Sequence, residues 1–157
     1  MLFFSNRTTK RIGEELSRIL NADLFEIEPV QKYTSEDLDW TNKQSRSIIE
    51  MEDENSRPEV KNKLENINDY KNVIIGFPVW LYKETPIIRT FLKENDLSNK
   101  RIIPFATNAG WLGKTFIEIK KMCPNSKVEN EKNIVFESYS DELVTSLNEI
   151  EEWIKTI

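Results

Sequence analysis

Val73-Ile74-Ile75-Gly76-Phe77, followed by Pro78-Val79-Trp80, is the stretch on which the fold turns. Its first five residues run apolar without a polar alternation. That pattern marks a strand covered on both faces of a sheet. Pro78 closes the run. Strands of this kind occupy the middle of parallel sheets with helices on both sides.

Upstream, Leu2-Phe3-Phe4 reads as a short buried strand. Thr8 or Thr9 can cap a helix in which Ile12, Leu16, Ile19 and Leu20 recur at helical spacing, ending at Asn21. Ala22 to Glu28 carries Leu24, Phe25 and Ile27 and is a second strand, stopped by Pro29. Ser35-Glu36-Asp37 starts a helix reaching about Glu54, with Leu38, Ile48, Ile49 and Met51 as its apolar positions. Arg57-Pro58 breaks it, and Leu64, Ile67 and Tyr70 lie against the core.

Downstream, Thr85-Pro86 opens a helix carrying Ile87, Ile88, Phe91 and Leu92. Arg101 to Ala106 is a fourth strand and residues 113–122 a helix. Ile134-Val135-Phe136 is a fifth strand. Ser140-Asp141-Glu142 caps a last helix with Leu143, Leu147, Ile150 and Ile154 on one face. The order βαβαβαβαβα over residues 1–157 predicts one α/β domain. It is a three-layer sandwich around a five-stranded parallel sheet, and right-handed crossovers favour the order 2-1-3-4-5.

The chain has 157 residues, 38% of them hydrophobic and 31% charged, with no histidine and one cysteine. That is enough chain for one core. Without histidine there is no Ser-His-Asp or Cys-His nucleophile and no histidine metal site. One cysteine excludes an intrachain disulfide and a thiolate-held cluster. The net charge of −5 comes with no basic patch, so nucleic acid is not an expected partner. Met1-Leu2-Phe3-Phe4 is too short for a signal peptide or a membrane span. The expected compartment is the cytoplasm, where the free Cys123 stays reduced. Any reactive group is therefore expected to be borrowed.

A doubly wound sheet places its ligand at the carboxyl ends of the strands, where strand order reverses. Three loops lie there. The first, Ser5-Asn6-Arg7-Thr8-Thr9-Lys10, brings hydroxyls to a helix N-terminus, which suits an anion, and Arg7 can add a charge-assisted bond. It is neither a Walker A loop nor a GxGxxG loop. The second runs from Pro78 through Val79, Trp80, Leu81 and Tyr82 to Pro86, and its aromatic planes suit a flat ligand. The third, Thr107-Asn108-Ala109-Gly110-Trp111-Leu112-Gly113, holds two of the four glycines, which let backbone approach a ligand. A phosphate grip, aromatic walls and polar backbone edges together ask for a phosphorylated planar cofactor such as FMN.

At these residues the sequence resembles the flavodoxin-like family, and within it the small bacterial flavodoxins with a Pro-Ile-Trp-Trp loop. The resemblance covers nearly the whole chain. It is carried by Phe3-Phe4-Ser5, Ala22-Asp23-Leu24-Phe25-Glu26-Ile27-Glu28-Pro29, Ser56-Arg57-Pro58, Gly76-Phe77-Pro78-Val79-Trp80, Arg89-Thr90-Phe91-Leu92, Asp96-Leu97-Ser98, Ile103-Pro104-Phe105 and Met122-Cys123-Pro124. Where that family reads Ser-x-Thr-Gly-Asn-Thr, this chain reads Ser5-Asn6-Arg7-Thr8-Thr9, one residue shorter and without the glycine. Leu81 or Tyr82 stands for the second tryptophan.

The resemblance implies FMN at the three loops and a protein that carries electrons or reduces small acceptors; a redox protein is a candidate partner. Ser5, Thr8 and Thr9 would hold the phosphate. Val79, Trp80 and either Tyr82 or Trp111 would flank the ring, and the backbone of residues 107–110 would meet its pyrimidine edge. Two alternatives stay open. One is an oxidoreductase of the NAD(P)H-dependent quinone or flavin reductase type. The other is a flavin-free interaction module.

Overall fold

The protein is described by a computed structural model over residues 1–3, 7–140 and 142–157. The central strand β3 (Asn72–Trp80) pairs in parallel with β1 (Leu2–Phe3) on one side and with β5 (Arg101–Asn108) on the other. β2 (Phe25–Glu26) lies parallel outside β1. On the far side of β5 lie two short parallel strands, β6 (Lys127–Val128) and β7 (Lys132–Val135). β4 (Lys83–Glu84) folds back antiparallel onto the end of β3. Among the described residues the sheet thus has seven strands.

The expected five strands are present, and two short ones join them for local reasons. β6 accompanies Arg101 and Ile102 while β7 begins beside Phe105. The break falls alongside Ile103 and Pro104, where the proline has no amide to give a neighbouring strand. β2 is shorter than the expected run from Ala22 to Glu28. Beyond it Asn62 takes over: its amide donates to the Glu26 carbonyl and accepts from Glu28 N at 3.0 Å.

Five α-helices cover the two faces: α1 (Arg7–Leu20), α2 (Arg46–Glu52), α3 (Pro86–Glu94), α4 (Thr115–Met122) and α5 (Leu147–Ile154). Alternation along the strands sorts the core into two layers. Val73, Ile75 and Phe77 pack with Ile102 and Ala106 against Ile87, Ile88 and Phe91 of α3 and Ile119 of α4. Ile74, Ile103 and Phe105 face Ile12 and Leu16 of α1 and Ile150, Trp153 and Ile154 of α5. Each buried isoleucine, leucine, valine or phenylalanine among them contributes about 1.5–3 kcal/mol of transfer free energy. Among the described residues no helix is long and apolar enough to cross a membrane.

Three helix boundaries differ from the sequence reading. The helix expected over residues 35–54 is confined to Arg46–Glu52. Ahead of it, short polar side chains bond the local backbone and outcompete a helix. Thr34 N donates to Asp37 Oδ2 (2.9 Å) and Asp37 N to Thr34 Oγ1 (3.2 Å). Asp39 and Asn42 accept from Thr41 N and Gln44 N in the same way. The last helix starts at Leu147, where Ser146 and Glu149 form a capping box. Of the cap expected at 140–142, Asp141 lies outside the described residues, and Leu143 forms a bridge with Phe136 instead. Finally, α1 begins at Arg7, so Thr8 and Thr9 lie within its first turn and neither caps it.

Gly76 is the position where the central pair is tightest. A Cβ there would sit 2.1 Å from Cζ of Phe105, whose ring lies across β3 and meets Trp153 edge-on at 6.2 Å. Gly76→Ala is therefore predicted to destabilise the protein by about 1–3 kcal/mol through overpacking, read from urea unfolding. Combined with Phe105→Leu, the two losses should fall short of their sum, because the smaller side chain vacates the space the methyl needs.

Candidate functional site

At the carboxyl ends of β3 and β5 the surface opens into a cleft of about 440 Å³. One wall is the hairpin: Val79, Trp80, Leu81 and Tyr82. A second is the loop after β5, through Asn108, Ala109 and Trp111. The third comes from the segment before β3, through Leu38, Trp40, Ser47, Ile48 and Met51. None of these side chains carries a formal charge. A larger groove of about 830 Å³ runs between α1 and α5, but it is lined by helix faces and the segment before α5, with none of the three predicted loops.

The hairpin turn is strained. Leu81 and Tyr82 join β3 to β4 with φ of 43° and 66°. Positive φ at both central residues is a primed-turn geometry that normally selects Asn-Gly. Bulky residues in the left-handed region cost roughly 1–2 kcal/mol each. Contacts with the third loop hold the turn in place. Lys114 N donates to the Tyr82 carbonyl at 3.2 Å. Gly113, at φ 61°, has no Cβ, and one there would fall 2.2 Å from that oxygen. The Tyr82 ring meets Trp111 edge-on at 6.2 Å. The two loops are thus packed against each other.

Trp80 is half-buried and backed from outside the cleft. Tyr33 meets it edge-on at 5.1 Å, and the Arg46 guanidinium lies 4.1 Å over the Tyr33 ring. Arg46 pairs with Glu50 at 2.6 Å, and the Tyr33 hydroxyl donates to the same carboxylate. Burial, reinforced by that bond to Glu50, pushes the Tyr33 phenol well above its ordinary range. It stays a protonated donor at any working pH.

The first loop is described only in part, since Ser5 and Asn6 lie outside the described residues. Arg7 is exposed, while Thr8 and Thr9 are buried. Thr9 Oγ1 and Thr107 Oγ1 share a hydrogen bond of 2.6 Å. The start of α1 is thereby fastened to the end of β5, one residue from Asn108 in the cleft wall. Asn108 accepts from Gly110 N at 2.9 Å and donates to Asn133. Gly110 has a φ of 105°, and nothing lies within 4 Å of where a Cβ would stand.

Of the predicted positions, Val79, Trp80, Leu81, Tyr82, Asn108, Ala109 and Trp111 line the cleft together. Pro78 and Thr107 are buried behind it. Gly113 packs on the hairpin, and Gly110 faces open space. The five residues contributed by the segment before β3 were not foreseen. Trp40, isolated among Asp39, Thr41 and Asn42, was the available signal: a large apolar side chain in a polar run. Cys123 is buried in the layer under α3 and α4, and burial pushes its thiol up to about 11, so it does not act as a nucleophile at neutral pH.

The parallel core, the flanking helices and a cleft at the carboxyl edge define a mixed α/β protein of the flavodoxin type. The sequence pattern of the family described as Flavodoxin matches residues 1–157. A crystal structure assigned as a flavoprotein from Bacteroides eggerthii DSM 20697 is 38% identical, covering 99% of this chain and 94% of that one, with a TM-score of 0.85. Another so assigned, from Bacteroides uniformis ATCC 8492, is 32% identical over 98% and 95% of the two chains, also at 0.85. A flavoprotein from Lactobacillus acidophilus NCFM in complex with FMN shares the fold at 20% identity, 97% and 95% coverage and a TM-score of 0.70. No curated protein matches. The chain belongs to the flavodoxin family.

The strained turn yields a direct test. Leu81→Asn places a residue that tolerates the left-handed region at φ 43°. It should stabilise the protein by about 1 kcal/mol in thermal or urea unfolding. An unchanged or lowered stability would show that the turn carries no backbone strain.

Proposed function

We propose that this protein binds FMN in the aromatic cleft and carries electrons. The observation behind this reading is the cleft wall itself. It is uncharged, presents three tryptophans and a tyrosine, and is joined to the N-terminus of α1 by the Thr9–Thr107 bond. A flat apolar ring suits such a wall, and an anionic phosphate suits the first turn of a helix. The flavin supplies the redox chemistry when bound, and the chain supplies grip and surroundings. The Bacteroides relatives assigned as flavoproteins and the FMN complex of the Lactobacillus protein support the same reading.

Val79, Trp80 and either Tyr82 or Trp111 would flank the ring. Backbone groups of residues 107–110 would meet its polar edge. Ser5, Thr8 and Thr9 would hold the phosphate with amides of the first turn of α1, and Arg7 would add a charge-assisted bond. An uncharged aromatic wall solvates an anionic ring poorly, which lowers the midpoint potential. Among the described residues no charged side chain lines the aromatic cleft to pair with a dinucleotide's phosphates. The carrier reading is therefore preferred over an NAD(P)H-dependent reductase.

Titration of free FMN with the protein tests this. Quenching of flavin fluorescence to a defined end point is expected, and no quenching at saturating protein would sink the reading. Trp80→Ala should weaken binding by about tenfold, the worth of one stacking wall. Unchanged affinity would remove Trp80 from that role. The loaded protein, reduced with dithionite, should pass electrons to ferricyanide. Oxidation of NADPH in the presence of a quinone would favour the reductase instead.

A further inference from the structure

Below the cleft wall lies a buried ion pair of which neither residue lines the cleft. Arg89, on α3, donates from Nε to Glu84 Oε1 at 2.7 Å, and their side chains are only 6% and 4% exposed. The pair is incompletely satisfied. Glu84 Oε2 has no partner, nor do the neighbouring Thr85 and Thr90 hydroxyls. A buried pair with a single hydrogen bond contributes little net stability, and apolar side chains of similar size often do as well or better.

Its connections are more telling. Glu84 stands opposite Val79 in the hairpin, one register position from the Trp80–Lys83 pair. The same guanidinium reaches the carbonyl of Asp53, the residue that ends α2, at 3.5 Å. Lys83 and Glu54 add a second tie between these elements at 3.3 Å. The hairpin supplies one cleft wall, and α2 supplies Ser47, Ile48 and Met51 of another. Both are thus keyed to one rigid fork on α3, whose flanking residues Ile87, Ile88 and Phe91 are locked in the core.

We infer that Glu84 and Arg89 are positioning residues for the cleft. Arg89 holds the hairpin and the end of α2 at a fixed spacing, and so sets how closely Trp80 and the α2 wall flank a planar ligand. The spacing belongs to the protein alone; its consequence for a ligand rests on the FMN reading above.

The test is the double variant Glu84→Met/Arg89→Met, with Glu84→Gln beside it, each labelled with 5-fluorotryptophan for ¹⁹F NMR. The four tryptophans give four reporters. The double variant should melt within a few degrees of the parent. Its Trp80 resonance should nevertheless move, and FMN affinity should fall by about tenfold. The Trp153 resonance should stay, since that ring packs against Phe105 on the other face of the sheet. Glu84→Gln keeps an acceptor for Arg89 and should do less of both. A folded double variant with unchanged Trp80 resonance and unchanged FMN affinity overturns the inference. So does a double variant that unfolds or melts far below the parent, because the pair would then carry stability rather than spacing. If the parent itself does not bind FMN, the proposed function fails, and the Trp80 resonance alone decides the positioning role.

Discussion

Phe105 lies across Gly76, and its ring can lie there only because that position lacks a side chain. The contact sits within the parallel register that runs from Asn72 beside Arg101 to Pro78 beside Thr107. A one-residue slip would turn the side chains of the strand to the opposite face and take Phe105 off Gly76, so this contact favours the observed register. The register in turn brings Trp80 and Asn108 out at the same edge. It also puts Thr107 within reach of Thr9, so the first turn of α1 arrives beside the cleft. The site is thus a consequence of how the sheet core packs.

At that edge the chain stores strain rather than charge. Leu81 and Tyr82 hold a turn that suits asparagine and glycine, and Gly113 makes room for it. Such strain persists where surrounding contacts over-determine it. Here they are the Lys114 amide, the Trp111 ring and the β4 pairing. The result is a wall of aromatic planes with no ionised lining among the described residues. The chain has no histidine, and burial raises the pKa of its lone thiol, Cys123. On the proposed reading the cleft holds a flat partner, and the redox capacity belongs to that partner.

The central strand and the helices on either face were legible because their signals are local and strong. Val73 to Phe77 is uninterrupted, and Ile12, Leu16, Ile150 and Ile154 repeat at helical spacing. The Ser146-x-x-Glu149 box was equally readable, yet Ser140-Asp141-Glu142 offered a competing start with acids in the first turn. The long helix expected before β3 failed because Thr34, Asp37, Asp39 and Asn42 each satisfy backbone amides locally. That failure hid a cleft wall: as a turn-rich segment, residues 34–45 swing Leu38 and Trp40 to the ligand edge, where a regular helix would not have been expected to bring them. The Tyr33–Trp80 contact and the Glu84–Arg89 pair join residues 47 and 5 positions apart through tertiary packing, which no local pattern announces.

A crystal structure of the protein grown with FMN bears most directly on the claim that the uncharged cleft is the flavin site. The isoalloxazine ring should be ordered against Trp80, with Tyr82 or Trp111 on its other side and the phosphate over the first turn of α1. A ring ordered instead in the groove between α1 and α5, with the aromatic cleft empty, would contradict it.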